Sequence, residues 1–137
     1  MKMQAAVLWG PGEDWSVEDV ELDGPQEGEV LIRYEASGLC HSDDHARTGD
    51  MPIAVPTVGG HEGAGVVEEV GPGIKNLQPG DKVVCSFLPA CGHCRWCSTG
   101  QQNLCDMGAF ILAGTMLDGS YRRRARGKDL GALSLLG

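Results

Sequence analysis

Four of the six cysteines lie in one short segment, "CGHCRWCSTGQQNLC", with the spacing C-x2-C-x2-C-x7-C. Four thiolates fill the tetrahedral shell of a zinc ion and leave no position for water, which is typical of a structural site. An iron–sulfur cluster is the alternative metal, but the bacterial ferredoxin run has a closer fourth cysteine followed by proline, whereas Asp106 follows here. Four thiols without metal is the remaining interpretation. The spacing predicts a structural zinc at Cys91, Cys94, Cys97 and Cys105.

A second group of candidate ligands lies upstream, in "GLCHSDDHARTGDMPIAVPTVGGHEGAG", residues 38 to 65. Cys40, His61 and Glu62 are all residue types that bind zinc. Each also has an ordinary interpretation, since a lone cysteine is commonly a small buried side chain and a lone histidine a satisfied polar group. From chemistry alone a catalytic metal site and a purely structural role remain equally open.

Three polar side chains accompany these ligands. Asp43 could orient a ligand histidine, and Ser42 with His45 could pass a proton. A metal with an oriented histidine and a proton path would suit acid–base chemistry on a small substrate.

The segments around these residues are predicted to be mostly strands. Glycine is frequent, with 21 residues, and aromatic residues make up only 5%, which favours a turn-rich β architecture. "HSDDHARTG" predicts a short helix with Ser42 or Asp43 as its N-cap and Gly49 as its stop. Alternating or continuous apolar residues between turn clusters predict strands in five segments: "MQAAVLWG", "WSVEDVEL", "EVLIRYEASG", "GAGVVEEVG" and "DKVVCSF".

Length and charge limit the function. A chain of 137 residues accommodates one domain, and a net charge of -8 argues against nucleic acid or an anionic membrane as the main partner. Because the sequence has neither a secretory signal nor a spanning segment, we expect a cytoplasmic protein. In that compartment its cysteines would bind metal or remain buried thiols, although six cysteines would permit three disulfides in a secreted chain. We expect "YRRRARGK", residues 121–128, to be a solvated loop rather than an anion or cofactor-phosphate site.

Several motifs together resemble one family. "GLCHSDDH", "GGHEGAGVVEEVG", "PGDKVV" and the cysteine lobe follow the order found in the zinc-dependent medium-chain alcohol dehydrogenases. "GTMLDGSYRRRARGKDLGALSLLG" is similar to the segment after the zinc lobe in class I and class III-like members. The resemblance implies that residues 1–137 are the N-terminal catalytic, chaperonin-10 (GroES)-like domain. That domain is mainly β, a partly open barrel with short helices and an irregular structural-zinc lobe.

The resemblance also implies the metal site. Cys40 and His61 match two ligands of the catalytic zinc, and Asp43 matches the carboxylate that holds the ligand histidine. Glu62 matches a nearby acid that can approach the metal when other ligands move. Gly59 and Gly60 would let the backbone turn tightly enough to aim His61 at the metal.

Other roles are implied for the reacting groups. Ser42 stands where the family has a hydroxyl that contacts the alcohol oxygen, and His45 stands at the outer end of the proton relay. His41 occupies a position near the cofactor pyrophosphate. Met51 and Phe87 resemble wall residues of the substrate pocket, although either would also suit a plain core.

The implied function is oxidation of a small alcohol to an aldehyde or ketone, with hydride transfer to NAD(H) or NADP(H), in an enzyme that is a homo-oligomer when complete. No G-x-G-x-x-G fingerprint is present, and the family's third zinc ligand, a cysteine, is absent. We therefore expect a fragment without the Rossmann domain, inactive alone, with one tight zinc and a second bound weakly or not at all. The alternative is a stand-alone zinc-stabilised β module with a binding or structural role.

Overall fold

Strands in two separate sheets dominate the fold. The computed structural model describes residues 1–134, so the last three residues of the predicted domain, 135–137, lie outside the described residues. Within that range the strands are β1 (Lys2–Leu8), β2 (Ser16–Leu22), β3 (Val30–Ser37), β4 (Thr57–Val58), β5 (Gly63–Val70), β6 (Lys82–Val84), β7 (Arg123–Ala125) and β8 (Lys128–Ala132). The predicted mainly β class is confirmed.

One sheet is a barrel. Strands β1, β2, β7, β8 and β4 pair in that order, and the ladder closes through a parallel pairing of β4 with β8 and an antiparallel pairing of β4 with β1. Side chains alternate between the two faces of each strand, so Val7, Val20, Ala125 and Leu130 meet in a buried cluster. Removing these apolar groups from water stabilises the barrel. Strand β4, which lies shortly before His61 in the chain, is held in this barrel by its pairing with β1 and β8.

The second sheet brings the two candidate ligand segments together. Its order is β3-β5-β6, with antiparallel pairing throughout. The register places Ser37, at the end of β3, opposite Gly63, at the start of β5. Cys40 therefore lies just after the end of β3, and His61 lies just before the start of β5. Both are at the same end of the paired strands. The long sequence separation between the two residues is closed by strand pairing.

Glycine is required at position 65, where the backbones of β3 and β5 lie close together. A Cβ atom on Gly65 would lie 2.1 Å from the carbonyl oxygen of Arg33, far inside a van der Waals contact. The register of the β3–β5 pair also shifts between Tyr34 and Ala36. A larger residue at position 65 would push the strands apart and separate the ends that carry the candidate ligands.

The helices are short. Helix α1 (His41–Thr48) ends at Gly49, which adopts the left-handed conformation with φ 86°, as predicted. The predicted N-cap is wrong: Cys40 is the N-cap, with extended backbone, and Ser42 and Asp43 lie in the first turn. The other helical segments are α2 (Arg95–Ser98) and 3-10 turns at Gln102–Leu104 and Asp106–Phe110. No helix within residues 1–134 has the length and apolar character needed to cross a membrane.

The basic segment is not a solvated loop, which corrects the sequence-based expectation. Residues 123–132 form the hairpin β7–β8, and its turn places Arg126 and Gly127 at φ 51° and 72°, as a type I′ turn requires. Arg122 is only 8% exposed and donates to both carboxylate oxygens of Glu29, at 2.7 and 2.9 Å, and to Asp118 at 2.7 Å. Bonding to Glu29 and Asp118 raises the pKa of the Arg122 guanidinium. This ion pair joins the chain before β3 to the barrel.

Replacing Arg122 with Met is expected to lower the free energy of unfolding by about 2 kcal/mol, because Glu29 would lose a two-point charged partner. Urea unfolding of the zinc-loaded chain measures the change. Arg124→Met is the matched control: Arg124 pairs with Asp23 at 2.9 Å in an exposed setting, so its loss should be much smaller. Equal losses in the two variants would contradict a stabilising role for the buried pair.

Candidate metal and catalytic site

The four cysteines of the lobe converge. One sulfur from each of Cys91, Cys94, Cys97 and Cys105 lies within 4.8 Å of the others. Local structure brings them together: Cys94 is the N-cap of α2, Cys97 lies within α2, and Cys105 separates the two 3-10 turns. All of the cysteines are free of disulfides. The predicted four-cysteine cluster is thus formed by short turns and not by a hydrophobic core.

Backbone amides point at these sulfurs. The N–H groups of Cys91, Cys94 and Cys97 donate to sulfurs of Cys105, Cys91 and Cys94 at 3.4, 3.3 and 3.5 Å. Hydrogen bonds from the backbone of Cys97 and then of Asp106 lower the pKa of the Cys94 thiol to about 6. Donors aimed at sulfur stabilise thiolate, which is the form that binds metal. The donor set fits zinc, which prefers four thiolates in a tetrahedral arrangement.

A second cluster is formed by Cys40, His61 and Glu62, whose ligand atoms also lie within 4.8 Å of one another. His61 is buried at 5% exposure, Cys40 is half-buried and Glu62 is exposed. Unlike the four-cysteine cluster, this one has three donors, one of which is the exposed side chain of Glu62. Three protein donors with a free position are the arrangement that catalytic zinc sites use.

Gly38 makes room for Glu62. A Cβ atom at Gly38 would lie 2.0 Å from a carboxylate oxygen of Glu62, and the Gly38 N–H donates to the Glu62 carbonyl at 3.0 Å. Glu62 therefore reaches the neighbourhood of Cys40 and His61 without movement of the loop. That this acid can approach the metal when other ligands move remains a prediction of the resemblance. The sequence signal for the space that Glu62 occupies is the glycine two residues before Cys40.

Asp43 links the two ligand segments. One carboxylate oxygen accepts from the Gly60 N–H at 2.9 Å, and the other lies 3.6 Å from Nδ1 of His61. That nitrogen is buried and has no hydrogen-bond partner among the described residues. A buried imidazole with one nitrogen beside a carboxylate is suited to hold a cation.

Ser42 and His45 lie on α1. The Cys40 thiol donates to the Ser42 hydroxyl at 3.4 Å, so Ser42 borders the ligand cluster. His45 is half exposed, and its Nδ1 lies 3.6 Å from Asp50. Hydrogen bonds from Thr48 and then His45 lower the pKa of the Asp50 carboxyl. Of the two candidate relay groups, Ser42 thus lies beside the ligand cluster and His45 lies toward solvent.

The remaining predicted residues are dispersed. Phe87 packs its ring against His61, with centroids 4.9 Å apart. His41 is exposed, with its ring 4.7 Å from that of His45. The backbone N–H of Met51 donates to the carbonyl of His45, on α1, at 3.0 Å. Phe87 therefore lies at the ligand cluster, whereas His41 is the exposed first residue of α1 and Met51 follows the helix.

A cavity of about 900 Å³ opens between the barrel and β3. Residues from β1, β3 and the segment before β7 line it, but Cys40, His61 and Glu62 do not. The cavity reaches Gly59 and Gly60, next to His61, but contacts none of the three candidate ligands, and we assign it no catalytic role.

Comparison with known proteins agrees with the geometry. Residues 26–132 match the family model of the alcohol dehydrogenase GroES-like domain. The NDMA-dependent alcohol dehydrogenase of Amycolatopsis methanolica is 59% identical over all 137 residues, which correspond to 37% of its length. The chain thus spans little more than a third of this relative.

Two solved structures are similar in fold. An alcohol dehydrogenase zinc-binding domain protein from Burkholderia ambifaria superposes with a TM-score of 0.90 at 40% identity, covering 96% of this chain and 36% of that one. Benzyl alcohol dehydrogenase from Acinetobacter calcoaceticus gives a TM-score of 0.85 at 32% identity, with 96% and 35% covered. The family resemblance predicted from the motifs is confirmed, and the chain belongs to the family of alcohol dehydrogenase GroES-like domains.

Proposed function

We propose that this chain is the catalytic domain of a zinc-dependent alcohol dehydrogenase, which oxidises an alcohol to an aldehyde or ketone and passes hydride to a nicotinamide cofactor. The observation that carries the proposal is the second cluster, Cys40, His61 and Glu62, which has only three protein donors and is bordered by Ser42. A purely structural zinc module would need only the closed four-cysteine cluster. The cofactor of the proposed reaction would be NAD(H) or NADP(H).

Zinc held with an open position acts as a Lewis acid that lowers the pKa of a bound hydroxyl group. Cys40 and His61 would hold it, and Glu62 would be the third donor within this chain. Asp43, beside Nδ1 of His61, would fix the ring so that Nε2 is the donor. The same carboxylate holds Gly60, which keeps the ligand-bearing turn against α1.

Two side chains on α1, Ser42 and His45, would carry the proton of the alcohol away from the site. Ser42 borders the cluster and would accept this proton through its hydroxyl oxygen while giving up its own. His45, half exposed and paired with Asp50, would deliver the proton to solvent. The path between Ser42 and His45 would run through groups of the bound cofactor. His41 would lie near the cofactor's phosphates, and Phe87 and Met51 would form walls of the substrate pocket.

Metal retention by the chain tests the proposal. After loading with zinc and gentle dialysis, we expect one tightly held zinc at the four cysteines and a second, weaker one that depends on Cys40, His61 and Glu62. Glu62→Ala should reduce the second zinc and leave the first, and the chain alone should not oxidise alcohols. A firmly held second zinc that survives Glu62→Ala would mean that the ligand set is wrong.

A further inference from the structure

One loop contacts both segments that carry the candidate ligands. Residues 9–15 join β1 to β2, and the Gly12 N–H donates to the carbonyl of Arg47 at 2.6 Å, in the last turn of α1. Pro11 also lies 3.7 Å from the position of a Cβ atom on Gly49. The loop therefore covers the C-terminal end of the helix whose N-cap is Cys40.

The other end of this loop rests on the turn before His61. If Gly59 carried a Cβ atom, Cη2 and Cζ3 of the Trp15 ring would both lie 2.7 Å from it. The backbone of Gly59 lies outside the left-handed region, so the indole ring, and not the backbone conformation, excludes a side chain there. Behind the turn, the Gly59 N–H donates to the Ala6 carbonyl at 3.0 Å. Gly59 is held between strand β1 and the indole.

The position of Gly59 sets that of His61. The next residue, Gly60, has φ 92° and donates its N–H to Asp43 at 2.9 Å, and His61 follows directly. A shift of the turn would therefore move the imidazole away from both Asp43 and Cys40. Metal–ligand distances tolerate changes of only about 0.2 Å, so small displacements of the turn are enough to weaken a site.

We propose that Trp15 is a positioning residue for a metal ion at Cys40 and His61: its ring presses on Gly59 and fixes the turn that presents the histidine. This inference rests on the metal site of the proposed function. Groups that orient metal ligands without touching the metal commonly change affinity by 10- to 100-fold. Trp15→Ala should therefore weaken metal binding at this site by at least about 10-fold, with little effect on the four-cysteine cluster.

Cobalt titration of the chain tests the proposal. The four cysteines are first loaded with zinc, which thiolates prefer to cobalt, and cobalt is then added while the thiolate-to-cobalt absorption band is followed. Cys40→Ser, which should abolish the band, assigns it to this site. We expect weaker binding for Trp15→Ala and recovery toward wild type for Trp15→Phe, which keeps an aromatic ring. Trp9→Ala is the control within the same loop, since Trp9 packs against the barrel cluster and contacts Glu18 and Arg126.

Gly59→Ala gives an independent arm, because its new methyl group would collide with the indole. It should weaken cobalt binding in the wild-type background and cost less in a Trp15→Ala background, where the space is empty. Unchanged affinity in Trp15→Ala, with the Cys40-dependent band intact, would overturn the positioning role alone. A wild-type chain without that band would overturn the metal site of the proposed function, and the positioning role with it. If Trp15→Ala fails to fold, Gly59→Ala and Trp15→Phe decide.

Discussion

Removal of zinc from the four-cysteine cluster should unfold residues 91–105. This lobe consists of α2 and the first 3-10 turn, and its buried residues include two of the candidate ligands, Cys97 and Cys105. Little apolar packing would remain to hold its turns once the sulfurs lose a common ion. Structural zinc in small peptides contributes about 10 to 16 kcal/mol at neutral pH, comparable to the stability of a whole domain.

Hydrogen exchange before and after verified chelation measures this effect. We expect the amides of Cys94 and Cys97, which face sulfurs, to lose their protection. Cys91→Ser should give the same result without a chelator. Cys85→Ser is the matched control, because Cys85 lies outside the lobe beside the Tyr34 hydroxyl. Unchanged protection across the lobe after zinc removal would show that the metal does not stabilise it.

Ser42→Ala is expected to lower the turnover of the completed enzyme by about 10²-fold or more, the usual scale of acid–base assistance. The completed enzyme is a chimera that joins this chain to the remaining part of the Amycolatopsis methanolica relative. The hydroxyl at position 42 borders Cys40, and alanine removes the acceptor for the alcohol proton without changing the helix. Steady-state kinetics with a saturating alcohol measure the change.

His45→Gln should reduce turnover less than Ser42→Ala. His45 is half exposed, so buffer has access to the outer end of the relay, and added base should restore part of the lost activity. The pair of variants separates an inner proton acceptor from an outer one. Equal turnover of Ser42→Ala and wild type would remove Ser42 from the mechanism.

Local patterns were sufficient to predict the strands β1, β2, β3, β5 and β6 and the cysteine cluster. In each case the information lies within a few residues: alternation of apolar side chains for the strands, and ligand spacing for the metal. Strand β7 was missed because its inward-facing Arg123 is 3% exposed, so the segment has no apolar alternation. Burial lowers the pKa of the Arg123 guanidinium to about 10. The residue type alone does not predict that an arginine at this position is buried.

Features that depend on pairing between distant segments could not be predicted from local patterns. The approach of Glu62 to Cys40 depends on the register of β3 with β5 and on the absence of a side chain at Gly38. The N-cap of α1 also depends on a neighbouring element. Ser and Asp are the preferred cap residues. However, β3 ends at Ser37, and Cys40, three residues later, still has extended backbone, so the helix begins only after it.

Alcohol oxidation by the chimera is the decisive measurement. We expect the zinc-loaded chimera to oxidise an alcohol that the Amycolatopsis methanolica relative accepts, and Cys40→Ala to abolish this activity while the zinc of the four-cysteine cluster remains bound. A folded chimera that retains that zinc and binds the cofactor, yet oxidises no such alcohol, would contradict the proposed function. Activity undiminished in Cys40→Ala would contradict it equally.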